Sequence, residues 1–223
     1  MSLHFELAGP AGRLEALLDP AEPGANSSVA QSNTVRMGKI GAVVAHPHPQ
    51  RGGTMHNTNI YRTAKALAAI GIDVLRFNFR GVGRSEGIQG GGGEHLDVLA
   101  AVDAMHQYGC GRMVGIGYSF GSIQMFQVGI DDPRMVILGA MGFPVRAYDV
   151  AFVRNCTKPT VIVQGEDDVF GSPADVRAAV GDNTKIEIAG IAGAGHFFDG
   201  KAEIVANTIA AFVKTQLTIN QGF

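Results

Sequence analysis

Two stretches of the chain match Gly-x-Ser-x-Gly: Gly83-Arg84-Ser85-Glu86-Gly87 and Gly117-Tyr118-Ser119-Phe120-Gly121. A serine in this pattern acts as a nucleophile when it sits on a sharp turn between a strand and a helix, where flanking glycines let the two elements approach and the turn lifts the hydroxyl clear of the sheet edge. In a chain with 31 glycines the bare pattern is weak, so the flanking residues must decide. The apolar run Met113-Val114-Gly115-Ile116 precedes Ser119, and Ser122-Ile123-Gln124-Met125-Phe126-Gln127-Val128 follows it with helical character. Ser85 is followed by Ile88, Gln89 and the glycines 90 to 93, which cannot form a helix. Ser119 is therefore the candidate nucleophile, weighed against the plainer role of a serine that caps a helix.

A serine hydroxyl is a weak nucleophile at neutral pH and needs a base to take its proton, and that base needs an orienting acid. Of seven histidines, His196 lies in Gly193-Ala194-Gly195-His196-Phe197-Phe198, between the last predicted strand and the last helix. His4 falls on an edge strand, His95 and His106 on or beside a helix, and His46, His48 and His56 precede the nucleophile. For the acid, Val161-Ile162-Val163-Gln164-Gly165-Glu166-Asp167-Asp168 runs from a strand into an acidic turn, with Asp168 the first choice and Asp167 the second. Acidic residues at such positions also serve simply as turn formers and helix caps. An acyl-transfer site further needs two N–H donors aimed at the developing oxyanion. Phe120, directly after the nucleophile, is one. His48 in His46-Pro47-His48-Pro49 is the other, because the neighbouring prolines have no N–H and hold its backbone rigid.

Competing chemistries fit less well. His46 and His48 alternate as metal ligands can, but Gln50 stands where a carboxylate would be wanted, and a buried His46 bonded to loop backbone is the plainer expectation. The glycines around 81 to 93 lack both the Gly-x-Gly-x-x-Gly and the Gly-Lys-Ser/Thr phosphate patterns. Arg80 and Arg84 are expected to pin this loop through salt bridges in preference to binding an anionic substrate group. No metal or organic cofactor is called for. A net charge of -2 gives no basic field for nucleic acid or anionic membranes, and no run of apolar residues reaches membrane-spanning length. A small molecule is the expected partner. Cys110 and Cys156 show no metal or disulfide spacing, and the N-terminus has no signal-peptide pattern, which together suggest reduced thiols in the cytoplasm.

With 223 residues, 46% of them hydrophobic and 17% charged, the expectation is one domain over residues 1–223, as a monomer or homodimer. Positioning the site requires alternating strands and helices. Leu3 to Leu7 and Arg13 to Leu18 read as an edge hairpin and Pro20 to Asn33 as a surface loop. Strands follow at Ile40 to Ala45, Ile72 to Phe79, from Met113, Met135 to Met141, Thr160 to Val163 and Lys185 to Ala189. Helices are predicted at Thr58 to Ile70 with Ile60, Tyr61, Ala64, Leu67 and Ala68 on one face, and at Glu94 to Tyr108 with Leu96, Leu99, Ala100 and Met105. Two more fall after Ser119 and at Pro173 to Val180, and the last, Glu203 to Leu217, turns Ile204, Val205, Ile209, Phe212 and Val213 inward. This alternation argues for an α/β fold with a mostly parallel sheet, helices on both faces and ligands at the carboxyl ends of the strands.

The combination of His46 to Gly53, Phe77-Asn78-Phe79-Arg80-Gly81-Val82-Gly83-Arg84-Ser85-Glu86-Gly87 and the Ser119 motif resembles the α/β-hydrolase superfamily, specifically its small bacterial hydrolases without a lid. The resemblance spans nearly the whole chain. It implies an eight-stranded, three-layer sheet fold, a Ser119, Asp168, His196 triad, and an oxyanion hole at Phe120 and His48. Residues 142 to 159, where a lid would be inserted, have room for only a short helix around Tyr148 to Val153. The site is then open and shallow, lined by Phe120, Phe143, Phe170, Phe197, Phe198 and Met55, and suited to carboxylic esters of small to medium acyl chains. Thioesters, short peptides or amides are the competing substrates, and a non-catalytic binding protein on the same fold is the reading from another class.

Overall fold

The computed structural model describes residues 2–22 and 39–219, so most of the predicted loop from Pro20 to Asn33 lies outside the described residues. Eight strands form one sheet: β1 (Leu3–Gly9), β2 (Gly12–Asp19), β3 (Lys39–Ala45), β4 (Asp73–Phe77), β5 (Cys110–Tyr118), β6 (Met135–Met141), β7 (Thr160–Gly165) and β8 (Ile186–Ile191). Among the described residues five α-helices accompany them: α1 (Thr58–Ala69), α2 (Glu94–Gln107), α3 (Phe120–Gly129), α4 (Pro173–Val180) and α5 (Ala202–Ile219). The strand order is β1-β2-β4-β3-β5-β6-β7-β8. β2 runs antiparallel to both β1 and β4, and every pairing from β4 onward is parallel.

The central strands are apolar on both sides because helices cover both faces of the sheet. On β3, Ile40, Ala42 and Val44 point into one core with α1 and α5, while Val43 and Ala45 point into the other with α2, α3 and α4. That is the two-residue alternation of a strand buried on both sides. α1 presents Ile60, Ala64 and Leu67 to the first core, and α5 presents Val205, Ile209, Val213 and Leu217. Tyr61 and Ile204, predicted inward, are exposed, and so is Leu96 on α2, where Val98, Ala101, Val102 and Met105 face the second core instead. In each case the residue stands one or two places off the 3.6-residue stripe that the alanines complete. The predicted short helix around Tyr148 to Val153 is a 3₁₀ turn at Ala151–Asn155.

Where antiparallel β2 meets β4, a buried ion pair fixes the seam. Nε of Arg76 donates to Oδ2 of Asp19 at 2.7 Å, and a second Arg76 nitrogen donates to the Met55 carbonyl at 2.8 Å. Ser2 Oγ and Lys65 Nζ hold the other Asp19 oxygen at 2.6 and 3.0 Å. Burial works to raise the Asp19 pKa, but these donors, Arg76 foremost, leave it below the usual carboxylate value. Folding stability from this group is therefore present above the ordinary carboxylate pKa of about 3.9 and lost as pH falls through the lower folded value. Arg76→Met, which strands the buried Asp19 charge, should cost about 3–5 kcal/mol in urea denaturation near neutral pH. A loss below about 1 kcal/mol would show that the pair does not carry the seam.

Candidate active site

The parallel strands all point their carboxyl ends to one edge, and the chemistry gathers there. β5 delivers Tyr118 to its last position, and the chain then turns sharply through Ser119 into α3. Ser119 sits at φ 51° and ψ -118°, a backbone that non-glycine residues rarely adopt, held by its N–H donating to the Met141 carbonyl at 2.9 Å. The Ser122 N–H and hydroxyl both donate to the Ser119 carbonyl, at 2.9 and 2.5 Å.

The glycines around the turn are there for space. A Cβ on Gly117 would stand 2.3 Å from the Ser122 Cα, and one on Gly121 would stand 2.4 Å from the His46 carbonyl oxygen. Both obstacles are backbone and cannot yield.

His196 follows β8 and reaches back across the strand ends. Its Nε2 accepts from Ser119 Oγ at 2.9 Å, and its Nδ1 donates to Asp168 Oδ2 at 2.8 Å. Asp168, in the turn after β7, is buried, and its other oxygen accepts the Phe170 N–H at 2.8 Å. Asp167 is exposed, and its backbone N–H donates to the Ala194 carbonyl at 2.9 Å. The geometry therefore brings Asp168, and not Asp167, to the imidazole. The Phe170 ring meets His196 edge-on at 4.6 Å between centroids, and Gly142, without a Cβ, backs the imidazole from the other side.

Three supporting residues escape a reading of the sequence. Gln164, fully buried at the end of β7, donates from Nε2 to Asp168 Oδ2 at 2.9 Å and to the Gly171 carbonyl at 2.5 Å, while its Oε1 accepts the Phe143 N–H at 2.7 Å. One amide thus locks the acid turn to the chain leaving β6. Tyr118 donates its hydroxyl to the His196 carbonyl at 2.9 Å, and burial raises its pKa, so it stays a neutral donor. From the first turn of α1, Asn59 Nδ2 donates to the Phe197 carbonyl at 3.1 Å. These polar residues looked like ordinary strand ends and helix positions; only their convergence in space reveals them.

The loop after β3 folds over α3. His46 is buried, its Nδ1 donates to the Pro47 carbonyl at 2.7 Å and its Nε2 accepts the Phe79 N–H at 3.1 Å. Burial pushes its pKa down to about 4, against a smaller opposing pull from the Pro47 carbonyl. Both ring nitrogens are occupied, so His46 is a structural histidine and not a metal ligand. The His48 carbonyl accepts the N–H groups of Arg51 and Gly53, at 3.0 and 3.1 Å, which curls the loop, and the His48 ring packs on Phe120 at 5.0 Å. The His48 N–H makes no hydrogen bond among the described residues. The Phe120 N–H opens α3 and has no carbonyl one turn back to bond, as at any helix start.

A pocket of about 310 Å³ lies over Ser119 and His196. Phe170 and Phe197 line it as predicted, together with His48, Pro144, Ala147 and Tyr148. Met55 and Phe143 do not, and neither does Phe120, which packs against the core and the His48 ring. Met55 is buried beneath the loop, its N–H donating to Asn78 Oδ1 and its carbonyl accepting from Arg76, and Phe143 is buried against Phe126 at 5.3 Å. Phe198 is likewise buried, in the core with α5, at φ 54°. Apolar side chains that close to the strand ends have a core directly beneath them, and it claims Met55, Phe143 and Phe198.

The second Gly-x-Ser-x-Gly match is structural. Ser85 is buried, donates its hydroxyl to the Asn78 carbonyl at 2.7 Å and accepts the Glu15 N–H at 2.9 Å. Arg80 pairs with Asp97 at 2.7 Å and donates to the carbonyls of Gly92 and Gly93, so it pins the glycine loop.

No family model matches the chain. Uncharacterized protein RP471 of Rickettsia prowazekii is 36% identical, over 78% of this chain and 78% of the relative. The chain belongs to the same family as this protein. Among solved structures, an α/β serine hydrolase homologue from Coxiella burnetii is 29% identical and superposes with a TM-score of 0.81 over 94% of this chain and 96% of the other. The protein XC6422 from Xanthomonas campestris, a member of the α/β serine hydrolases without a lid, is 25% identical with a TM-score of 0.83 over 96% and 94%. The family member's fold is thus the α/β-hydrolase fold, and the described residues between β6 and β7 contain no lid domain. The neighbours support a hydrolase.

The fit of α3 against the sheet is testable without a substrate. Gly121→Ala should destabilise the protein by about 2 kcal/mol or more in urea denaturation, because its methyl group meets the carbonyls of Ala45 and His46. Gly91→Ala, with open space at the added Cβ, should change stability by less than about 0.5 kcal/mol. Equal effects would show that the close approach is not what the glycine is for.

Proposed function

We propose that the chain is a serine hydrolase that cleaves carboxylic esters of small to medium acyl chains, with Ser119 as nucleophile, His196 as base and Asp168 as the orienting acid. The observation that carries this reading is the continuous line of hydrogen bonds from Ser119 Oγ through both nitrogens of His196 to Asp168, at 2.9 and 2.8 Å. As Ser119 Oγ attacks the ester carbonyl, its proton passes to His196 Nε2, and the imidazolium that forms is stabilised by the Asp168 carboxylate. The oxygen that gains negative charge faces the N–H groups of Phe120 and His48, fixed in place before the reaction begins. His196 returns the proton to the departing alcohol as the tetrahedral intermediate collapses. Water, deprotonated by the same imidazole, then releases the acid from Ser119.

The pocket supports the size range. About 310 Å³ is at the small end for ligand sites, and its walls are the rings of Phe170, Phe197 and Tyr148 with Pro144 and Ala147. Gln164 and Tyr118 act through others: one holds Asp168, the other holds the His196 backbone.

Hydrolysis of the p-nitrophenyl esters of acetate, butyrate, octanoate and palmitate tests the reading. Wild type should prefer the shorter acyl groups, and Ser119→Ala should lose at least about 10³-fold in kcat. Undiminished turnover by Ser119→Ala would contradict it.

A further inference from the structure

The charge in the pocket points beyond its shape. Arg51 lies at the end of the 3₁₀ turn Pro49–Arg51, directly after the loop that presents the His48 N–H, and its exposed side chain lines the same pocket as Ser119 and His196. Several arginines of the fold are engaged, Arg76 with Asp19, Arg80 with Asp97, Arg134 with Asp132 and Arg146 with Asp175, while Arg84, Arg112 and Arg177, without a side-chain partner among the described residues, lie outside the lining of this pocket. Arg51 has no ion pair and no side-chain hydrogen bond among the described residues. Among the described residues no acidic side chain lines the pocket. Glu94, whose charge is felt at His48, lies outside the lining, with one carboxylate oxygen accepting the Gly90 N–H at 2.8 Å.

His48 adds no compensating or competing charge, because burial and then the neighbouring Arg51 push its pKa down. Tyr148, the other polar side chain near Arg51, is half-buried and kept neutral by burial, which raises its pKa against the opposing effect of Arg51. Ser119 therefore shares its cavity with an exposed guanidinium that has no ion-pair partner among the described residues and whose five N–H donors match a carboxylate or phosphate.

We propose that Arg51 is a specificity-determining residue that selects esters bearing an anionic group, a carboxylate or phosphate, a few bonds from the scissile carbonyl. This rests on the hydrolase reading above and names the substrate class for the same site. An anion in the substrate would take the place of the missing ion-pair partner, and the pocket's positive field would draw it in.

The test compares matched esters. Monomethyl adipate against methyl hexanoate places the carboxylate on the acyl side, and the butyrate ester of glycolate against ethyl butyrate places it on the alcohol side. In at least one pair, wild type should favour the anionic ester in kcat/KM by about 10-fold, with the preference shrinking as salt is raised. Arg51→Gln should bring that ratio close to one, and Arg51→Lys should retain part of it. Ratios that are the same in wild type and Arg51→Gln for both pairs would overturn the assignment.

Binding separates this outcome from failure of the hydrolase reading. Calorimetric titration of monomethyl adipate and of the glycolate ester into Ser119→Ala, with and without Arg51→Gln, requires no turnover. Binding of either ester weakened about 10-fold by Arg51→Gln supports the assignment even if wild type proves inactive. Equal affinity, or binding in neither protein, counts against it.

Discussion

The whole site depends on how closely α3 can approach the ends of β3 and β5. Gly117 and Gly121 leave no side chain between the first turn of α3 and the backbones of Ser122, Ala45 and His46. Only at that separation can the chain turn within one residue from strand to helix, which forces Ser119 into its strained φ of 51° and projects its hydroxyl over the sheet edge. The same contact brings the loop after β3 against α3, where the His48 ring packs on Phe120. The strain at Ser119 is held by ordinary forces: bonds from Ser122 and to Met141, and two apolar cores on either face of the sheet.

Parallel strands then do the rest of the assembly. Because β3, β5, β7 and β8 all end at one edge, the loops that follow them are neighbours in space although they are far apart in sequence. Hydrogen bonds between loops fix their relative positions. Gln164 joins the acid turn to the chain after β6, Tyr118 and Asn59 hold the backbone of the His196 loop, and buried His46 ties the β3 loop to Phe79. A neutral His46, with its pKa pushed down to about 4 by burial, lets that tie persist at ordinary pH without a buried charge in the loop.

Much of this was legible in the sequence, and the reason differs from element to element. Ser119 could be told from Ser85 because a strand and a helix leave periodic apolar patterns on either side, and a run of glycines leaves none. His46 was readable as structural because Gln50 stands where a carboxylate ligand would be wanted and no third ligand stands out. Asp168 could be ranked ahead of Asp167 without excluding it, since adjacent residues in a turn point in different directions and the direction is set by the turn's hydrogen bonds to Gly165 and Ala194. Met55 and Phe143 were misplaced because an aromatic or thioether side chain near a strand end serves equally as pocket wall or as core. Gln164 was hidden for the opposite reason: a polar residue at the end of an apolar strand looks like the beginning of solvent, and here it is completely buried.

The central claim is that His196, held by Asp168, makes Ser119 and no other serine a nucleophile. Reaction with a fluorophosphonate, followed by peptide mass spectrometry, addresses it most directly, because the reagent reports activated hydroxyls whatever the natural substrate. A single phosphonyl adduct on Ser119 is expected, forming far more slowly in His196→Ala. An adduct on Ser85, or labelling of Ser119 at the same rate without His196, would contradict the account.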